Sequence, residues 1–221
     1  MTCRGVYKYV DRFMRPLTLT TTPQGNDFGW TIKKTASSGS PTYTTTTAGL
    51  VVTLAATSEA EVVTVYQNDI LGHVLSGIRG VEFTANLAGV DAVTTVVMGI
   101  GMTENDTVNS VGGGAWFRVN GATSTTVMNC ETYDGATRTT VDSGVAVSST
   151  NKRFMIDWSQ GLGDTRFFID GQPVGTSKTF SLTALTSTQG VQLYFQVQKA
   201  SGTGVPAMTL REVEVRGIYA D

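Results

Sequence analysis

Apolar and polar residues alternate with a period of two along most of the 221-residue chain, and no segment shows the three-to-four spacing of an amphipathic helix. Val81, Phe83, Ala85 and Leu87 stand between Glu82, Thr84 and Asn86, which predicts a strand with one wet face. Phe154, Ile156 and Trp158 alternate with Met155, Asp157 and Ser159, while Val191, Leu193, Phe195 and Val197 alternate with Gln192, Tyr194, Gln196 and Gln198. Leu210, Val213 and Val215 sit among Arg211, Glu212, Glu214 and Arg216. Gly49–Ala56 is apolar on both faces, and Ala92–Met102 is another β-branched run, as strands between two layers are. Phe28–Thr35 and Glu61–Tyr66 supply further strands. Between these runs lie turn signals. Asn120-Gly121 predicts a tight hairpin in which both residues take positive φ, and Asp134-Gly135 predicts a second. Short strands, short turns and no helix predict an all-β sandwich or jelly roll. Its core should hold Phe154, Ile156, Trp158, Phe195 and Val213, with a turn at Asp170-Gly171.

Composition supports this. Threonine occurs 36 times and glycine 25 times, and charged residues make up 15% against about a quarter in average soluble domains. Threonine is stiff at its first torsion and fits a pleated strand. Hydroxyls in place of charges also make a surface that meets neighbours with little charge desolvation. No composition break divides the chain, so the expected organisation is a basic arm over residues 1–24 and one sandwich domain over 25–221.

Charge is uneven. Arg4, Lys8, Arg12 and Arg15 against Asp11 give the first twenty residues +3, leaving −5 for the rest. Either the arm docks on an acidic neighbour, or its charges keep a terminal edge strand from sticking. The overall charge of −2 argues against general nucleic-acid binding. No run of eighteen apolar residues exists to cross a membrane, and the N-terminus lacks the apolar stretch of a secretory signal. Folding in a cytoplasm is therefore expected, with Cys3 and Cys130 as free thiols.

Few residues are placed for catalysis. Glu212 and Glu214 share a strand face but are flanked by Arg211 and Arg216, and Glu131 and Asp134 are read as straddling a turn. His73 is the only histidine, it lies in an apolar segment, and no Gly-x-Ser-x-Gly elbow accompanies it. Gly112–Gly114 lacks the Lys-Ser/Thr pair of a phosphate loop. Glu104–Asn109 clusters oxygens without the spacing of a calcium loop. The expectation is no catalytic set, no metal and no cofactor. The strip Gln192, Tyr194, Gln196 and Gln198 offers amides and one aromatic, suited to a saccharide or to a subunit contact.

The segment Phe154–Thr176, FMIDWSQGLGDTRFFIDGQPVGT, pairs two strands across a tight turn and ends in an aromatic-aliphatic-Asp-Gly step. It resembles the concanavalin A-like lectin/glucanase superfamily, and the likeness extends over roughly Asp27–Tyr219 through Phe28-Gly29-Trp30, Trp116-Phe117-Arg118 and Leu210–Tyr219. The resemblance implies a two-sheet antiparallel jelly-roll sandwich, here with an extended N-terminal arm, and places glycans on the concave sheet face. Enzymatic members carry alternating acids on one strand, which neither carboxylate pair here reproduces. The composition, missing signal and basic arm are also similar to virion structural proteins of tailed bacteriophages. That likeness implies a non-enzymatic virion protein, made in the host cytoplasm, decorating or bridging a capsid as a homo-oligomer, with a trimer expected. Arg4, Tyr7, Lys8, Tyr9, Arg12, Phe13 and Arg15 would meet the major capsid protein or other virion proteins. The alternative is a carbohydrate-binding module of a phage fibre or tail, with Trp116, Gln192, Tyr194 and Gln196 as glycan contacts. A glycoside hydrolase is the third option.

Overall fold

The computed structural model describes residues 6–13, 29–67, 72–103, 111–186 and 188–218. Strands, numbered here in chain order, form two eight-stranded sheets. The first runs β14 (Gln172–Val174), β13 (Arg166–Ile169), β12 (Lys152–Asp157), β7 (Ile78–Ala88), β16 (Ala207–Ile218), β4 (Gly49–Thr53) and β3 (Thr42–Thr46), with β1 (Val6–Arg12) also on β16. The second runs β11 (Arg138–Ala146), β10 (Val127–Tyr133), β9 (Gly114–Asn120), β8 (Thr94–Gly101), β15 (Gly190–Lys199), β5 (Glu61–Tyr66) and β2 (Thr31–Thr35), with β6 (His73–Val74) on β15. Pairing is antiparallel throughout both sheets. The fold is the all-β antiparallel sandwich that the alternation predicts.

Phenylalanines join the layers. Phe83 of β7 stacks on Phe154 of β12 at 5.3 Å and meets Phe195 of β15 edge-on at 5.2 Å, while Phe117 of β9 reaches Phe154 at 5.0 Å. Ile156, Trp158 and Val213 are buried with them, and the Trp158 indole donates to the Ile78 carbonyl at 2.9 Å. Leu210 and Val213 are three residues apart, so a regular strand would turn them to opposite faces. A register shift between Leu210 and Glu212 adds the residue that returns both to the core.

Of the three predicted turns, Asp134-Gly135 falls in the connection of residues 134–137 between β10 and β11, with positive φ at Gly135 (91°) but not at Asp134, and the other two differ from each other. Asp170 (φ 51°) and Gly171 (φ 79°) make a two-residue reversal between β13 and β14, as read from the sequence. Asn120-Gly121 does not. Neither residue has positive φ, and residues 121–126 form a longer connection between β9 and β10. A Cβ on Gly121 would lie 1.9 Å from the Asp91 carbonyl oxygen, so close backbone approach requires this glycine.

The N-terminal segment expected as an arm contributes β1, which runs antiparallel to β16 from Val6↔Ile218 to Arg12↔Glu212. Phe13 follows it into the core. Arg4 and Arg15 lie outside the described residues.

Candidate functional site

The register of the second sheet lines up its outward side chains. One row crosses the sheet as Thr140, Glu131, Trp116, Gly99, Tyr194, Tyr66 and Thr31. The next holds Asp142, Asn129, Arg118, Val97, Gln196, Thr64 and Lys33. The opposite faces of β9 and β10 supply Phe117, Met128 and Cys130 to the core, so the pleat fixes which side chains share the outer face.

Glu131 organises this face. Its Oε1 accepts the Trp116 indole N–H at 2.8 Å and the Arg118 guanidinium at 3.4 Å, and it is also bonded by Arg138; its Oε2 accepts the Thr140 hydroxyl at 3.0 Å. The Glu131 side chain is 2% exposed, while Arg118 and Arg138 reach solvent with 16% and 24% of theirs. The Arg138 guanidinium lies 4.6 Å from the Tyr133 ring centre and 5.6 Å from that of Trp116, a cation over two aromatic faces. Gly114 makes room, because a Cβ there would lie 2.7 Å from the Trp116 ring.

Glu131 was expected beside a turn with no fixed geometry. The structure corrects this: it stands within β10, opposite Trp116 and Thr140. The signal was present in the alternation of Asn129, Glu131 and Tyr133 with Met128, Cys130 and Thr132.

Trp116, Gln192, Tyr194 and Gln196 do fall on one face, and all four are 0% exposed. Gln196 donates to the Thr64 hydroxyl at 3.0 Å, and Val111, Tyr66 and Val97 pack with Trp116 and Tyr194. The face opens towards β11, where Thr140 and Asp142 are exposed and Tyr133, Arg138, Asn129 and Arg118 are half-buried.

The N-terminal candidates are engaged within the chain. Lys8 pairs with Glu214 at 2.8 Å, Arg12 with Glu212 at 3.4 Å, and Phe13 is buried against Trp30. Tyr9 is half-buried and donates to Asp11 at 3.4 Å; burial, with Asp11 beside it, pushes its hydroxyl well above the ordinary range. Tyr7 belongs to β1.

Glu212 and Glu214 lie on the outer face of the first sheet, where Glu82 and Arg153 join them around a depression of about 290 Å³. Burial pushes the Glu214 carboxyl up, but bonds from Lys8 and Arg216 outweigh it and hold the group below the usual range. That is opposite to the tuning of a general acid. His73 is buried, 3.2 Å from the Gln67 amide oxygen, and its desolvation lowers its pKa to about 4. The cluster Glu104–Asn109 and Cys3 lie outside the described residues.

No protein-family model matches the sequence, and no curated protein shows significant similarity to it. Solved structures do share the fold. A Bacillus licheniformis β-glucanase aligns over 94% of this chain and 97% of its own with a TM-score of 0.60 at 14% identity. A glycoside hydrolase family 16 endo-glucanase from Bacteroides ovatus covers 94% and 99% with 0.59 at 13%. The Crh5 transglycosylase covers 95% and 84% with 0.55 at 17%. These likenesses place the chain in the concanavalin A-like jelly-roll fold. They also overturn the expectation of a non-enzymatic capsid protein, since many of the structures that share the fold are glucanases or transglycosylases.

Proposed function

We propose that the outer face of the second sheet takes a β-linked polysaccharide, entered from its β11 edge. One observation carries this: Trp116, Tyr133, Arg118, Arg138 and Glu131 converge on one sheet face as aromatic planes and fixed hydrogen-bonding groups. A sugar offers flat C–H faces to aromatic rings and hydroxyl pairs to planar polar groups, and binding sites supply few such groups in fixed positions. The glucanase names among the fold's neighbours support a glucan-like substrate. Because Trp116, Gln192, Tyr194 and Gln196 are buried, the first contacts are Tyr133, Arg138, Thr140, Asn129 and Arg118. Trp116 and Glu131 hold them from below.

Titration of cello- and laminari-oligosaccharides by calorimetry tests this reading. Tyr133→Ala should weaken binding roughly tenfold, about 1.4 kcal/mol, without changing the near-ultraviolet dichroism. Absence of any saccharide binding by the native chain would remove the proposal.

A second reading adds hydrolysis. Asp142 pairs with Asn129 while Glu131 pairs with Thr140, so the two acids are diagonal neighbours across β10 and β11. Such diagonal neighbours stand about 7–8 Å apart, comparable to the roughly 6.5–9.5 Å between carboxyls that leaves space for a water in inverting glycosidases. Reducing ends released from β-glucan, and lost in Asp142→Asn, would support it. A chain that binds glucan and releases none would exclude it.

A further inference from the structure

We infer that the saccharide bound on this face is anionic, with a uronate carboxylate seated against Arg118 and Arg138; this rests on the saccharide reading above. Two guanidiniums converge on the single carboxylate of Glu131, so the two share one ion-pair partner in a half-buried site. The charged groups on this part of the face are Glu131, Arg118, Arg138 and the exposed Asp142. Asp142 makes no ion pair with either arginine among the described residues, and its exposure leaves it screened by water.

Arg118 is the less committed of the pair. Its link to Glu131 is 3.4 Å long, made through Nη1, and its Nε is buried without an acceptor among the described residues. A guanidinium carries five donors in a rigid fork that matches a planar carboxylate with two parallel bonds. A hydroxyl accepts through one oxygen and brings no charge, so a neutral glucan offers these guanidiniums no carboxylate beyond the one they share. Arg138 is fixed by its stacking on Tyr133 and Trp116, which keeps its donor edge from collapsing away from the site. The lateral neighbour Asn129, in register with Arg118, adds an amide able to donate to the same ligand.

Calorimetry with a cello-oligosaccharide and its C6-carboxyl counterpart, which differ only at the group in question, tests the inference. The carboxyl form should bind at least roughly tenfold tighter in dilute salt, and concentrated salt should shrink the gap. Arg118→Gln should abolish the preference, Arg118→Lys should restore part of it, and Arg138→Gln, at the more exposed position, is the second test should Arg118→Gln misfold. Equal affinities in the native chain, or a preference surviving both glutamine variants, would overturn the inference while leaving saccharide binding intact. Binding of neither oligosaccharide would overturn both.

Discussion

Phe13 and Trp30 pack with ring centroids 5.0 Å apart, at an interplanar angle of 54°, and so tie the residue after β1 to the residue before β2. The same join carries a buried hydrogen bond from the Trp30 indole to Asp11 at 2.9 Å. β1 belongs to the first sheet and β2 to the second, so this contact clasps one layer to the other. Phe13→Ala should cost about 3–5 kcal/mol in chemical denaturation, the range for emptying a buried aromatic site. Removing residues 1–15 should cost at least as much, because β1 leaves with Phe13. A truncated chain as stable as the full one would contradict the clasp.

Glu131 makes a second structural prediction. Glu131→Gln removes the charge between Arg118 and Arg138 and leaves a half-buried pair of cations. About 3 kcal/mol of stability should be lost, near the low end for breaking a buried pair because both guanidiniums reach solvent. Denaturation midpoints with unchanged slopes would measure it.

The buried His73 should make stability fall with acid before the carboxylates act. Its desolvation holds the native pKa near 4, below the unfolded value of about 6.5. The unfolded chain therefore binds the proton first. The contribution is complete above pH 6.5 and declines as pH falls towards 4, with about 3 kcal/mol lost by the bottom of that window. His73→Gln should flatten the slope between pH 6.5 and pH 4.5. An unchanged slope would show that His73 takes up its proton as readily in the fold as in the unfolded chain.

Burial, with Asp142 nearby, pushes the Cys130 thiol up to about 12. Thiolate is the reactive form, so this residue should resist disulfide reagents in the native state. A Cys3→Ser chain should show no labelling until guanidinium is added, followed by full labelling. Rapid native labelling would mean that the second sheet opens readily.

Gly121 and Gly171 should respond differently to alanine. Gly171 has φ of +79° and nothing within 4 Å of a new Cβ, so its cost is the left-handed backbone penalty of about 1–2 kcal/mol. At Gly121 the new carbon meets backbone, and the β8–β9 end must move. Thermal melts should rank Gly121→Ala as the more damaging.

The sandwich was legible in the sequence because burial on one face enforces a period of two, and Phe154, Ile156 and Phe195 report it directly. The Asp170-Gly171 reversal was legible for a related reason: its positive φ values select the residues. Asn120-Gly121 carried the same letters for a different cause, a carbonyl contributed by Asp91, thirty residues earlier in the chain. No local pattern records such an approach. Trp116 and Tyr194 were recognisable as a pair of outward aromatics, yet Glu131 was missed since its partners come from β9 and β11. Lys199 gave no sign at all. It is fully buried, bonding the Ala55 and Thr57 carbonyls 3.8 Å from Glu61, an arrangement that joins residues 55–61 to a strand more than 130 residues later.

The position of β15 and β16 has a consequence for biosynthesis. β15 lies between β8 and β5, and β16 between β7 and β4 with β1 also alongside it. Each sheet thus remains in three unjoined pieces until residues 190–218 have emerged from the ribosome. The earlier strands must wait with their apolar faces uncovered, so the chain folds late and as one unit. A nascent chain halted before residue 190 should be a chaperone client, and one released past residue 218 should not.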